Sequence, residues 1–380
     1  MHAASLKRVT QHFFKGEEDE FDIAAEVQYA RQATDVCRAV PLTQQAVAHI
    51  SRYYPLVKNE DDLDTLSKRL KRGEETGFSL LFDPSLIDAC CQRGIFPLSI
   101  QIGWGIFTFA PKLHVERAIC ALADSAAQRN TIGGFSFCEG HDGIFDKECL
   151  GVSRKLTKAP NERTRCPSFD IFVNREEDLV DILTLIRRQH GENWLCAALR
   201  LCFLHMFFNP AKYATKIIVT AIRHRKYSDT NISVNPAMIQ EGELIAGEIG
   251  YLVGDIYASA TGGYCVNGGG ALQLSVTGVC MKLAGCRVWD LGMMMSYKQS
   301  LQCITLPREK WLNMVSVRRS NPNQHILDYL QDLKRGRPVS DFLRTDLPPT
   351  LGDPNSKSQL KKRLKKDAAI QRKAQKQMKM

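Results

Sequence analysis

No stretch of this 380-residue chain reaches the roughly 18 uninterrupted apolar residues that a membrane span requires, so no transmembrane helix is expected. The nearest run, 194–208, is broken by Arg200 and His205 and reads as a buried helix. The start lacks the apolar core of a secretory signal peptide. The first 16 residues also lack acids and carry Lys7, Arg8 and Lys15, the one trait shared with organelle transit peptides. Among 13 cysteines there is no C-x-x-C pair, and Cys90 and Cys91 are adjacent. Cys120, Cys196, Cys202, Cys280 and Cys286 sit in apolar runs, as buried thiols do in a reducing compartment, so a cytoplasmic location is expected. Only Cys138 and His141 stand at ligand spacing. A zinc site needs about four ligands, so they read as a packed thiol and a loop imidazole, with no metal expected. No internal repeat is present.

What is present is an ordinary globular composition, 44% hydrophobic and 24% charged, long enough for two domains. The net charge of +10 is concentrated at one end. Residues 356–380 carry ten Lys/Arg against one acid, Asp367, with Lys361, Lys362, Arg363, Lys365 and Lys366 the densest part. That segment supplies +9 of the total and leaves a near-neutral body. A basic tail on such a body points to a polyanionic partner, or to a solvated tail that is disordered when free.

The hydropathy pattern divides the chain into a helical N-terminal extension over 1–75, a small subdomain over 76–115, a main domain over 116–345 and the tail over 346–380. Helical spacing runs through Ile23–Val40 and Ala46–Tyr54, and the charged stretch Asn59–Arg72 reads as an exposed helix or linker. Residues 122–167 are polar with weak periodicity and read as an insertion. Beyond them, Phe169–Val173 and Lys216–His224 read as strands, with helices over Glu177–Gln189 and Trp194–Phe208 between. Leu244–Val253 and Asp255–Ser259 read as two further strands with Gly254 a bulge. The glycine run Gly268–Gly270 opens an apolar helix, Ala271–Leu283, that Gly285 closes. Arg287–Leu291 is a last strand. This order predicts an α+β fold of mixed α/β layout around one sheet.

Four segments carry a resemblance. They are Leu86–Pro97, ending Arg-Gly-Ile-Phe-Pro; Glu243–Tyr257, ELIAGEIGYLVGDIY; Val288–Leu312, with VWDLGM, Gln299-Ser300-Leu301, Pro307-Arg308 and Trp311-Leu312; and, more weakly, Leu333–Phe342. In this order they resemble the leucyl/phenylalanyl-tRNA–protein transferase family over residues 77–343. The resemblance implies a small N-terminal subdomain followed by a GNAT-like acyltransferase domain. It implies transfer of a Leu- or Phe-like residue from aminoacyl-tRNA to the N-terminal α-amine of an acceptor protein, which marks that protein for degradation. It implies no cofactor, no membrane partner and a monomer. In keeping with a donor other than acyl-CoA, the chain has no clean R-x-x-G-x-G/A pyrophosphate loop.

The ester donor is already activated, so the reaction needs positioning, a proton acceptor and oxyanion stabilisation rather than a covalent nucleophile. Asp290 matches the family's aspartate and would hold or deprotonate the amine, unless it merely caps a strand end. Trp194 matches a family tryptophan, and Thr108-Phe109 falls where the family carries an aromatic pair. Stacking of a base on one such ring contributes about 1–3 kcal/mol. Gly270, in the run Gly268–Gly270 at a helix start, either presents N–H groups to an anion or serves close helix–strand packing and a tight turn, and Ser300 either hydrogen-bonds the substrate or caps the next helix. Two polar positions depart from the family: its glutamine two residues after the aspartate is Gly292, and its glycine-glutamate pair is Asn267-Gly268. A non-catalytic tRNA- or RNA-binding relative, or an acyltransferase with another donor, would also fit the pattern.

Overall fold

Side-chain caps start the helices of the N-terminal region. The computed structural model describes residues 22–70, 73–103, 105–122, 169–225, 241–266, 269–301 and 303–342. Asp22 accepts from the backbone of Ala24 and Ala25 and opens α1, Ile23–Gln32, which buries Ile23, Val27 and Ala30. The helical spacing that continues to Val40 is not used. Arg38–Ala39 instead forms strand β1, because it pairs with β2, Leu81–Phe82. Between them lie α2, Gln44–Ile50, capped by Thr43, and α3, Glu60–Arg69, capped by Asn59. The charged α3 is no linker, since Leu63 and Leu66 are buried. Asp83, with Pro84 behind it, starts α4, Pro84–Gln92.

Next come the hairpin β3, Phe96–Gly103, and β4, Ile106–Lys112, which form a small sheet of their own. They are followed by β5, Glu116–Ala121, and, after residues 123–168, which lie outside the described residues and take in nearly all of the insertion expected over 122–167, by β6, Phe169–Val173. The chain then runs through α5, Leu179–His190, and α6, Ala197–Phe208, into β7, Lys216–Arg225. It continues through β8, Glu241–Val253, and β9, Ile256–Tyr264. After these come α7, Gly269–Ala284; β10, Val288–Asp290; α8, Ser296–Ser300; and β11, Ile304–Pro307. The last elements are α9, Arg308–Arg318; α10, Gln324–Asp332; and β12, Arg337–Pro338.

Eight strands form one sheet in the order β11-β5-β10-β9-β8-β7-β6-β12. Among the described strands β9–β10 is the only parallel pair, and α7 is its crossover. The fold is therefore mixed α+β around a mostly antiparallel central sheet, with ten α-helices among the described residues. Period-two alternation divides each strand between two cores. Ile217, Val219 and Ala221 of β7 join α1, α5 and α6 on one face, while Ile218 and Ile222 join α7 and α10 on the other.

Gly254 is not a bulge. With Asp255 it makes the two-residue turn of the β8–β9 hairpin, at φ +56°, and the register shift lies at Ile249/Gly250 instead. Gly285 does close α7, at φ +103°, where Cys286 N–H reaches Met281 O at 3.0 Å. Two of the separated segments that carry the resemblance touch: the Trp311 indole donates to Gly94 O at 2.8 Å. No helix among the described residues is long and apolar enough to cross a membrane.

Candidate functional site

Where α7 begins, a cavity of about 500 Å³ opens at the ends of β9 and β10, between the start of α7 and the end of α5. Such a volume is in the usual range for a small-molecule or substrate-end site. Glu248 of β8, Ser259 of β9, Gly270 and Gln273 of α7, and Tyr297 and Lys298 of α8 form its chemically capable wall.

Glu248 is at its base, only 3% exposed. Alternation explains its direction. Gly247 and Ile249 turn toward the α5 face, so Glu248 turns toward α7, opposite Thr220 of β7. Its Oε1 accepts from the Tyr257 hydroxyl at 2.7 Å and from the Ser259 hydroxyl. The Tyr257 ring lies along β8 over Gly250, where even a methyl group would sit 2.4 Å from its hydroxyl. Ser259 is held in turn by the Trp289 indole, which donates at 2.9 Å. Burial pushes the Glu248 carboxyl above its ordinary range, against hydrogen bonds from Ser259, Tyr257 and Gln273 that pull it down. Burial and the neighbouring Glu248 both push the Tyr257 and Tyr297 hydroxyls up.

The Gln273 amide donates to Thr220 Oγ1 at 2.6 Å and Thr277 Oγ1 at 2.8 Å, and its buried Oε1 has no hydrogen-bond partner among the described residues. Lys298 is mostly buried, which lowers its pKa, and its ammonium is fixed by the carbonyls of Leu291 and, at 2.6 Å, Met293. At the mouth, Tyr264 and Tyr297 remain about half exposed, at 47% and 46%. The arrangement offers a buried proton acceptor, hydroxyls that fix it and aromatic edges at the opening. Among the described residues no group of His, Cys, Asp and Glu is placed to share a metal ion.

The chain matches no protein-family model and no curated protein.

Of the residues that the sequence singles out, the cavity takes in Gly270. Asp290 lies elsewhere. One residue beyond Trp289, it turns to the opposite face of the sheet, where its two oxygens meet the Arg117 guanidinium and Oδ1 also accepts from Gly292 N–H at 2.9 Å. It is fully buried there and does not line the cavity. Phe109 is a core residue of β4 packed on Phe82, with ring centroids 6.1 Å apart. Thr108 is buried and donates to Ser79 O. Trp194 packs on Phe96 at 6.2 Å, and its carbonyl accepts from Ser99 N–H. Ser300 ends α8, three residues after Tyr297. Asn267-Gly268, Cys138, His141 and the tail with Lys361, Lys362, Arg363, Lys365 and Lys366 lie outside the described residues.

Glu248, Tyr257, Ser259 and Gln273 escape the sequence reading. The available signal was an acid in the middle of a strand of apolar residues and glycines, Glu248 in Ala246-Gly-Glu-Ile-Gly250.

Proposed function

We propose that this chain is an aminoacyltransferase that moves a Leu- or Phe-like residue from aminoacyl-tRNA to the N-terminal α-amine of an acceptor protein. The observation that carries the reading is the cavity beside the parallel pair β9–β10, walled by a buried carboxylate and by the first turn of the crossover helix. The order β6-α5-α6-β7-β8-β9-α7-β10 supports a GNAT-like acyltransferase domain, in which a donor binds where the crossover helix starts. A donor ester brought to that helix start places its carbonyl near Glu248, and the half-exposed Tyr264 and Tyr297 suit the stacking of a terminal base. The basic tail supplies backbone contacts to the rest of the tRNA without reading its sequence.

The test supplies tRNAs charged with labelled Leu, Phe or Met together with a reporter bearing N-terminal Arg or Lys. Label on the reporter supports the transferase. Label that stays on a bound tRNA assigns the chain to the non-catalytic tRNA-binding class, a reading that the engagement of Asp290 by Arg117 favours.

A further inference from the structure

Five carboxylates are buried among the described residues: Glu26, Asp178, Glu248, Asp255 and Asp290. Four of them hold an arginine. Glu26 pairs with Arg200, Asp178 with Arg223, Asp255 with Arg318 and Asp290 with Arg117. Glu248 has hydroxyl partners instead, from Tyr257 and Ser259, and it alone of the five lines the cavity. A buried carboxylate without a fixed cation is costly, and proteins keep such groups where an incoming ligand supplies the missing charge. Both hydroxyl bonds fall on Oε1, and the Gln273 side chain is the carboxyl's remaining hydrogen-bonding neighbour.

We infer that Glu248 binds the ammonium of the acceptor's N-terminus in this cavity and takes its proton. The inference rests on the acyl-transfer reading above and names its catalytic base. The ammonium gives one proton to Glu248, and the neutral amine attacks the ester carbonyl carbon. The C–N bond forms, the ester C–O bond breaks, and the second amine proton leaves on the ribose oxygen. Glu248 then returns its proton to solvent.

The groups that face Glu248 fit this role. Thr220 lies opposite on β7, Tyr257 and Ser259 on β9, and Gln273 on α7, while Trp289 of β10 backs Ser259. Across the cavity are His190 of α5 with Tyr297 and Lys298 of α8, and the Lys298 ammonium is already engaged by two backbone carbonyls. Burial brings the carboxyl closer to the range of an α-amine, about 7.7–8.0, which eases proton transfer between them.

The experiment compares the full chain with Glu248→Gln, both checked for a folded circular dichroism spectrum. At saturating charged tRNA and reporter, the variant's kcat should fall about 10²-fold or more near neutral pH, with tRNA binding unchanged. The deficit should shrink at about pH 9, where solvent already deprotonates the amine. A deficit that does not change with pH, or no deficit, overturns the assignment. A second measurement separates this from failure of the transferase reading. A short peptide with a free N-terminal Arg, and its N-acetylated form, are titrated calorimetrically into both proteins without tRNA. Glu248→Gln should weaken the free-amine peptide at least tenfold and leave the acetylated one unaffected. Equal affinities for both peptides in both proteins overturn the inference, whether or not transfer is seen.

Discussion

Arg117 and Asp290 face each other across β5 and β10, with Nε 3.0 Å from Oδ1 and Nη2 on Oδ2. Phe96 and Trp311 close over the guanidinium, with ring centroids 5.4 and 5.6 Å from Cζ. The pair therefore joins the hairpin β3–β4, the sheet and α9 around one desolvated ion pair. Its place in the core makes Asp290 a strut of the fold.

Removing one partner should show this. Asp290→Asn leaves Arg117 buried without its counter-charge, which costs roughly 3–5 kcal/mol in comparable cases. Replacing both with apolar residues, Asp290→Leu with Arg117→Met, should recover much of that loss. Urea denaturation of the three proteins checks it. If Asp290→Asn unfolds like the wild type while transfer collapses, Asp290 belongs in the reaction and Glu248 does not.

The limits of the sequence reading are visible at single residues. Strand β6 is legible to the residue because Phe169, Ile171 and Val173 enter one core at period two, and α7 because glycines mark both of its ends. The extent of α1 was not legible, because its end depends on the pairing of Arg38–Ala39 with residues 81–82. The position of the cavity was not legible for a related reason. Trp289 and Asp290 differ by one position, hence by one face of the sheet, and only the register with β9 shows which face holds the cavity. Glu248 carried only the mark of an acid within a strand of apolar residues and glycines, since its distinction is the arginine that each other buried carboxylate among the described residues holds and it does not.

The same absence gives a stability signature. The folded-state pKa of Glu248 is raised, so the native state binds its proton more tightly than the unfolded chain does. Stability from this group is full below the unfolded value, about 4.3, and is lost as pH rises through the folded one. Glu248→Gln should therefore raise Tm at neutral and alkaline pH, and the gain should vanish in acid. A scan of Tm against pH for both proteins measures it. A variant less stable than wild type at neutral pH would show that the carboxylate stabilises the fold.

The hairpin turn makes a separate claim about α9. A Cβ on Gly254 would fall 2.0 Å from Arg318 O, and Arg318 cannot yield easily because its side chain holds Asp255 at 3.0 and 2.9 Å. Gly191, at φ +71°, has nothing within 4 Å of such a Cβ. Gly191→Ala should cost only the backbone strain of its φ +71°, ψ −161° conformation, about 1–3 kcal/mol. Gly254→Ala should cost distinctly more, because the end of α9 must also move. Equal denaturation midpoints for the two variants would mean that the hairpin and α9 separate freely.

The basic tail tests the nucleic-acid partner apart from any chemistry. Residues 356–380 carry ten basic side chains, spaced along a run with Leu360, Leu364 and Ala368, and so combine a high positive charge with few apolar residues. If about five of them meet phosphates, counterion release sets a log–log salt slope near −4, or roughly 10² in affinity between about 50 and 200 mM salt. Deleting 356–380 should flatten that slope and weaken binding of every tRNA alike. The preference for the donor amino acid should survive, because backbone contacts position a nucleic acid without specifying it, and the cavity lies in the remaining chain. Fluorescence anisotropy on one charged tRNA over a salt series, with and without the tail, reads both quantities. An unchanged slope would reassign the tail to cellular targeting or solubility and leave the tRNA contacts to be found on the body of the protein.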